Sequence, residues 1–306
     1  MMDVILHVGA HRTATTTFQR HMATHRDTLH ANKTTFWGPK VIRGGLFGGM
    51  SGGSGPILPW QANRAGKRAA LRVEGLRQDG MKRLILSDEN MLGNLRDVLE
   101  DTLLYPDAAK RIAGFAKGFQ GHNLTIGLGI RCYSTWWSSA LAFRLSRGGP
   151  LPRTELRERL VTQPRRWRDL AEQVARAVPD ARVAVWSHEA MGSAPHRILH
   201  DLTEIATRPS SLPILNAAPR AKALRDLLCN YGVDPDTFIR SSTDRFMPFE
   251  AHEADALRGQ YQDDLTWLAN GAGGLVDYID APLAETGAQT VEGRGLPDDG
   301  EHRSLA

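Results

Sequence analysis

The chain has 306 residues, with 38 Lys and Arg against 34 Asp and Glu, a formal net charge of +4, and 41% hydrophobic and 24% charged positions. That length buries one large core or two small ones, and the fractions exclude wholesale disorder, a collagen-like repeat and a disulfide-stapled mini-domain. An excess of +4 over such a length is too dilute to argue for a nucleic-acid partner.

The basic residues are 31 Arg and only 7 Lys, so Arg is the expected occupant wherever a motif ordinarily takes Lys. Two cysteines, Cys132 and Cys229, cannot build a disulfide framework and point to a reducing compartment. The N-terminus has no basic flank before a long apolar run. The most apolar window, Leu124 to Phe143, is broken by Arg131, Ser134, Ser138 and Ser139. The expectation is a soluble, cytoplasmic protein with no transmembrane segment.

In chain order, Val4 to Val8 is short, β-branched and apolar, and predicts a strand that stops at Gly9. A helix follows from about Thr15 to His30. Residues 34–60 carry so many Gly and Pro that they read as one long irregular loop, mobile over 44–55. A helix from Trp60 to Gln78 precedes a second strand, Lys82 to Ser87. Helix from Asp107 to Gly118, strand from Leu124 to Ile130, helix from Thr135 to Arg147, helix from Leu156 to Ala177 and strand from Arg182 to Trp186 complete the alternation. The last third is mostly helical, over His196–Ala206, Arg220–Tyr231 and His252–Ala269, and residues 284–306 read as a frayed tail. Strands alternating with helices predict a single α/β domain over 1–283 with a doubly wound, mostly parallel sheet and ligands outside the strands' carboxyl ends.

The first strand-to-helix turn holds the most chemistry. Gly9-Ala10-His11-Arg12-Thr13-Ala14-Thr15-Thr16-Thr17 sets a Gly-opened bend, a fixed cation and four Thr hydroxyls at a helix N-terminus, where backbone amides and the macrodipole favour an anion. It is neither GxGxxG nor the Walker pattern, since the Lys-Ser/Thr pair is missing. A second such feature follows the third strand: Arg131 leaves it, and Ser139 lies eight residues on in the next helix, so the two can converge on one phosphate. Register favours Ser139 over Ser138.

The first turn resembles the 5′-phosphosulfate loop of the sulfotransferases that use 3′-phosphoadenosine 5′-phosphosulfate (PAPS), with Thr13, Thr15 and Thr16 matching, Arg12 at the usual Lys position and Ala14 at the usual Gly position. Arg131 and Ser139 resemble that family's 3′-phosphate motif. The resemblance implies a sheet of P-loop type, PAPS as co-substrate with no metal, and nucleotide contacts at Gly9, Ala10, Arg12, Thr13, Ala14, Thr15, Thr16, Arg131 and Ser139. It also implies transfer of a sulfuryl group to a small-molecule, glycan or lipid acceptor. By its carbohydrate-type branch it implies that Glu89, leaving the second strand beside Asp88, is the base. Asp88 is the second choice, and His11 in the loop competes as a proton carrier.

Two rival readings stand beside this one. A P-loop kinase needs a strand-end Asp for Mg²⁺, which Asp88 alone offers, and a non-catalytic nucleotide- or partner-binding protein fits a loop with Arg12 and Ala14. Glu189, Trp136, Trp137 and Phe143 read as structural, Cys132 as a buried thiol, and His196 with His200 as a helix pair lacking a third metal ligand. Arg220 and residues 240–245 stand where the family often has a late basic loop, and Leu257–Leu268 resembles its closing helix.

Overall fold

A computed structural model of the protein describes residues 1–51, 53, 55–209, 221–240 and 245–279. Six strands form one sheet: β1 (Asp3–His7), β2 (Thr34–Trp37), β3 (Arg83–Ser87), β4 (Asn123–Ile130), β5 (Arg182–Ser187) and an edge strand, Asp277–Tyr278. Their spatial order is β2-β3-β1-β4-β5-edge, and all five pairings are parallel. A two-residue antiparallel pair, Ile239–Arg240 with Arg245–Phe246, stands apart from it.

The strands are buried on both faces, and their period-2 alternation divides the core in two. Val4, Leu6, Leu84, Leu86, Val183 and Val185 face the larger cluster, packed with helices that include Pro59–Gln78, Ala108–Ala116, Tyr133–Leu145 and Trp167–Ala177. Ile5, Ile85, Ala184 and Trp186 face the smaller one, with Phe18 and Met22 of α1 (Thr15–Thr24) and Ile198, Leu199 and Leu202 of Pro195–Thr203. Helices thus cover both faces of an α/β fold wound in two directions from β1. The chain leaves β1 toward β3 and β2, then crosses to β4 on the other side, so the carboxyl ends of β1 and β4 border the crevice where such sheets take ligands.

The four predicted strands are present within a residue or two. The expected layout differs in places, and the helix read over Thr15–His30 is two, Thr15–Thr24 and Arg26–Ala31, broken at His25. Residues 34–37, Thr-Thr-Phe-Trp, form β2 inside the stretch read as irregular, because four β-branched and aromatic residues pair with β3 before Gly38. The helix expected over Leu156–Ala177 is two, Thr154–Thr162 and Trp167–Ala177, because Pro164 forces the preceding Gln163 into an extended conformation (ψ 135°). Arg220, residues 241–244 and the tail at 284–306 lie outside the described residues.

The described part of the Gly-rich stretch makes buried contacts. Ile42, Phe47 and Met50 are fully buried. The buried Arg111 fans its guanidinium across the carbonyls of Met50 (2.7 Å), Gly55 (2.9 Å), Asn90 (2.9 Å) and Met91 (3.2 Å). Of the segment 44–55, Gly52 and Ser54 lie outside the described residues, and the described part is hydrogen-bonded to the end of β3 through Ser51 and Asp88.

The helix Tyr133–Leu145 carries Ser139 and is pinned by a buried pair. The Tyr133 hydroxyl donates to Asp264 and accepts from the Trp167 amide at 2.6 Å. Burial pushes the Asp264 carboxyl up from 3.8 to about 6, against the pull of Tyr133, Arg166 and Arg168. A carboxyl with a folded pKa above its unfolded one binds more protons when folded, so stability falls as pH rises from about 4 to about 6 and stays lowered above that. Asp264→Asn keeps the acceptor for Tyr133 and removes the ionisation. It is expected to be more stable than the parent at pH 8, by up to about 3 kcal/mol, with the difference vanishing near pH 4. Urea titrations across that range test it.

Candidate functional site

The bend after β1 is built by its neighbours. The amides of Val8 and Gly9 donate to the Gly127 carbonyl of β4 (2.9 and 3.3 Å), and that of Ala10 donates to Gly129 (3.0 Å). Gly9 has φ +33°, and a Cβ there would lie 2.5 Å from Thr15 Oγ1, so the position requires glycine. The carbonyls of Ala10, His11 and Arg12 are turned inward. They accept from Thr13 Oγ1 (2.6 Å), Trp136 Nε1 (2.5 Å) and Arg131 Nη1 (2.8 Å) respectively. Phe18 donates its amide to the Ala14 carbonyl at 3.1 Å, and the first turn of α1 opens at this bend, where the macrodipole favours an anion.

Gly9 and Ala10 therefore shape the bend, and their own amides are committed to β4. Arg12 and Ala14 both sit in the left-handed region, at φ 65° and 68°. Ala14 occupies the usual Gly position of the resembled loop, and an alanine there costs about 1–2 kcal/mol. Ala14→Gly relieves that strain while adding about 0.5–1 kcal/mol of unfolded-state entropy. It is expected to raise the urea midpoint slightly.

Two cations, Arg12 and Arg131, meet at this bend. Arg12 donates through Nε to Ser139 Oγ (2.8 Å) and lies over the Phe143 ring, 5.4 Å from its centre. Arg131 donates through Nε to Thr135 Oγ1 (3.2 Å), besides its bond to the Arg12 carbonyl. Among the described residues neither guanidinium forms an ion pair. Burial and the neighbouring Arg131 charge pull the Arg12 pKa down. Burial does the same to Arg131, opposed by Glu189 and aided by Arg245. Thr15 Oγ1 and Thr17 Oγ1 are buried without a hydrogen-bond partner. Two half-buried cations side by side and orphaned hydroxyls are each costly, and an anion at the N-terminus of α1 would offset the like charge of the two arginines. Ser139 is the serine that faces Arg12, while Ser138 Oγ turns back to the Ser134 carbonyl at 2.6 Å.

The carboxylates at the end of β3 differ in kind. Asp88 is fully buried and saturated. It accepts from Arg43 Nε (3.0 Å), Arg43 Nη2 (2.6 Å), Ser51 Oγ (2.7 Å) and the Asn90 amide (3.0 Å). Glu89 is partly exposed and held by two longer bonds, from Gln19 Nε2 of α1 (3.2 Å) and Arg43 Nη2 (3.3 Å). The more weakly engaged carboxylate is the one with oxygen lone pairs available to an incoming hydroxyl.

His11 is a keystone of the bend. Its Nδ1 meets the Tyr105 hydroxyl at 2.8 Å and its Nε2 meets Asn90 Oδ1 at 3.0 Å, while its amide donates to the same Tyr105 oxygen at 2.9 Å. Burial lowers its pKa, so the ring is neutral. Nε2–H donates to Asn90 Oδ1, and Nδ1 accepts from the Tyr105 hydroxyl. With both nitrogens engaged, His11 positions the loop and carries no free lone pair for proton transfer.

Sequence reasoning missed Gln19, Arg43, Tyr105, Arg111 and His188. His188, at the end of β5, hydrogen-bonds the Thr13 backbone, and burial with the Arg131 charge lowers its pKa to about 4. A Cβ at Gly192 would lie 2.2 Å from its Nδ1, so Gly192 gives the ring its room. Only Gln19, two residues past the run of Thr that closes the bend and one helical turn after Thr15, carried a positional signal; the rest reach the site through tertiary contacts. Glu189 is structural as expected, accepting from the Cys132 amide (3.1 Å) and Tyr261 hydroxyl (2.7 Å). Trp136 and Trp137 are core, and Cys132 is half-buried. Of the expected late basic loop, Arg245 is described and lies close enough to act on Arg131.

Among the described residues, no group of three or more His, Cys, Asp or Glu can hold a metal ion, and no helix is long and apolar enough to cross a membrane. The chain matches no family model, no curated protein and no solved structure.

Proposed function

We propose that the protein transfers a sulfuryl group from PAPS to a hydroxyl or amine acceptor. The observation that carries this reading is the pair Arg12 and Arg131, two half-buried guanidiniums that form no ion pair among the described residues, at the sheet's switch point beside the N-terminus of α1. Half-buried cations of this kind are stabilised by a ligand with several negative charges. The orphaned Thr15 and Thr17 hydroxyls fit further oxygens of the same ligand.

PAPS supplies an activated sulfuryl group whose leaving oxygen departs on a phosphate. Arg12, the amides opening α1 and the Thr hydroxyls hold that phosphate and the charge it gains, and Arg131 with Ser139 takes the 3′-phosphate. Arg12 now bonds Ser139, a neutral partner that an anion displaces at small cost. Glu89, oriented by Gln19 and Arg43, takes the acceptor proton as the acceptor oxygen or nitrogen bonds to sulfur and the sulfur–oxygen bond to the nucleotide breaks. The kinase reading loses its one strand-end Asp, because both Asp88 oxygens are already engaged.

Calorimetry with adenosine 3′,5′-bisphosphate and with ATP tests the nucleotide: tighter binding of the bisphosphate is expected, and ATP preference would overturn the proposal. Labelled sulfonate transfer tests the chemistry. Glu89→Gln is expected to lower turnover about 10²–10⁴-fold with bisphosphate affinity unchanged. Equal turnover removes Glu89 from the mechanism. Bisphosphate binding without transfer to any of a broad acceptor panel marks a non-catalytic nucleotide binder.

A further inference from the structure

The helix Pro59–Gln78 turns two very different faces to its surroundings. Inward it presents Ala62, Ala65, Gly66, Ala69 and Val73, all buried. The fit is close: a Cβ on Gly118 would lie 2.7 Å from the Ala69 Cβ. Outward stand Trp60, 61% exposed, and Leu71, 76% exposed, with Leu58 just before the helix at 49%. These are unusually large apolar side chains to leave in water on one element.

At 3.6 residues per turn, positions 60, 64, 67 and 71 share a sector of about 60°, and Trp60 and Leu71 lie about 16 Å apart along the axis. Arg64 and Lys67 fill the gap between them, and Arg72 adjoins Leu71. All three cations are exposed and form no ion pair among the described residues. A fourth, Lys117, reaches the same helix through Asn63 Oδ1 at 3.1 Å. Glu74 is the helix's single acid, and Arg77 neutralises it at 2.7 Å. The surface is therefore a basic strip with an aromatic at one end and an aliphatic at the other.

We infer that this outward face docks onto an anionic lipid surface. Guanidinium and ammonium groups attract acidic headgroups, while an exposed Trp and Leu reach the interfacial layer where amphipathic rings and apolar chains are favoured. A soluble polyanion would answer the cations and leave Trp60 and Leu71 without a role. The helix also bonds the Gly-rich segment, through Gln61 Nε2 to the Gly49 carbonyl (3.3 Å) and Arg68 Nε to the Leu46 carbonyl (3.1 Å). Docking thus holds beside the bilayer the segment whose Arg43 and Ser51 engage Asp88. This inference is independent of the nucleotide site.

Sedimentation of the full chain with phosphatidylcholine vesicles, with and without phosphatidylserine, tests it without nucleotide. Binding is expected only with phosphatidylserine, weakening as salt rises. Neutralising a surface cation weakens such binding about five-fold, so Arg64→Gln, Lys67→Gln and Arg72→Gln together should cost about a hundred-fold. Trp60→Ser with Leu71→Ser should lower vesicle affinity at least ten-fold and leave binding of inorganic polyphosphate unchanged. All five positions are exposed, and unchanged thermal melting confirms that the variants fold. No binding to phosphatidylserine vesicles, or equal binding by the triple Gln variant, overturns the proposal. So does vesicle binding indifferent to the Trp60 and Leu71 changes, which would mark a simple polyanion surface.

Discussion

Arg12→Met is expected to weaken binding of adenosine 3′,5′-bisphosphate by about 10–150-fold, the value of a charge-assisted hydrogen bond of roughly 1.5–3 kcal/mol. The same substitution should leave the unliganded protein as stable as before or more so. Arg12 is held in a half-buried site beside a second guanidinium, and its one side-chain hydrogen bond is to the neutral Ser139 hydroxyl. A residue whose loss costs ligand but not fold is the signature of a binding group retained against stability. Arg131→Met should weaken binding similarly. The double variant should lose less than the product of the two effects, because Arg131 also holds the Arg12 carbonyl and so sets the loop on which Arg12 stands. Calorimetry and thermal melting of the four proteins complete the cycle. Full bisphosphate affinity in Arg12→Met would remove the loop from the site.

Arg111→Met is expected to cost 3–5 kcal/mol, the largest stability effect of any single change considered. Its guanidinium is buried and satisfies carbonyls from two places at once, the Gly-rich segment and the turn after β3. A methionine of similar length fills the space and leaves those oxygens dry and unpaired. Arg111→Lys should rescue little, since an ammonium offers three donors from one point where a guanidinium spreads five over a plane. Against a total stability of about 5–15 kcal/mol, such a loss is visible in any urea titration. Proteolysis should cut first between residues 50 and 55, where the anchor is lost. A change within about 1 kcal/mol would show that the segment is held by Asp88 and its partners alone.

The two substitutions differ in what a reader of the chain could have known. Arg12 stands in a motif: a strand, a Gly, a cation and a run of Thr before a helix. Each of those residue types is chosen by local physics, so the bend was legible before any coordinates. Arg131 and Ser139 were legible in the same way, by a strand end and a helical spacing. Arg111 carries no such mark. In the sequence it is one of many arginines on an amphipathic helix, where a solvated charge is the ordinary case. Its burial depends on the Gly-rich segment folding back across it, and composition argued against that segment having any fixed course. Asp88 and Glu89 show the same limit at closer range. Adjacent in sequence and alike in chemistry, they part because Arg43 and Ser51, some forty residues earlier, seal one and merely touch the other.

The amino-acid order by itself determined the four main strands, most of the helices between them, and the Gly-opened bend after β1, because periodicity, caps and turn chemistry act over a few neighbouring residues. Tertiary structure alone decided the strand order, the neutral and fully bonded state of His11, the commitment of the Gly9 and Ala10 amides to β4, and which carboxylate stays open at the end of β3. Those outcomes rest on partners 30 to 130 residues away, and burial and hydrogen bonding are set by what arrives from such distances.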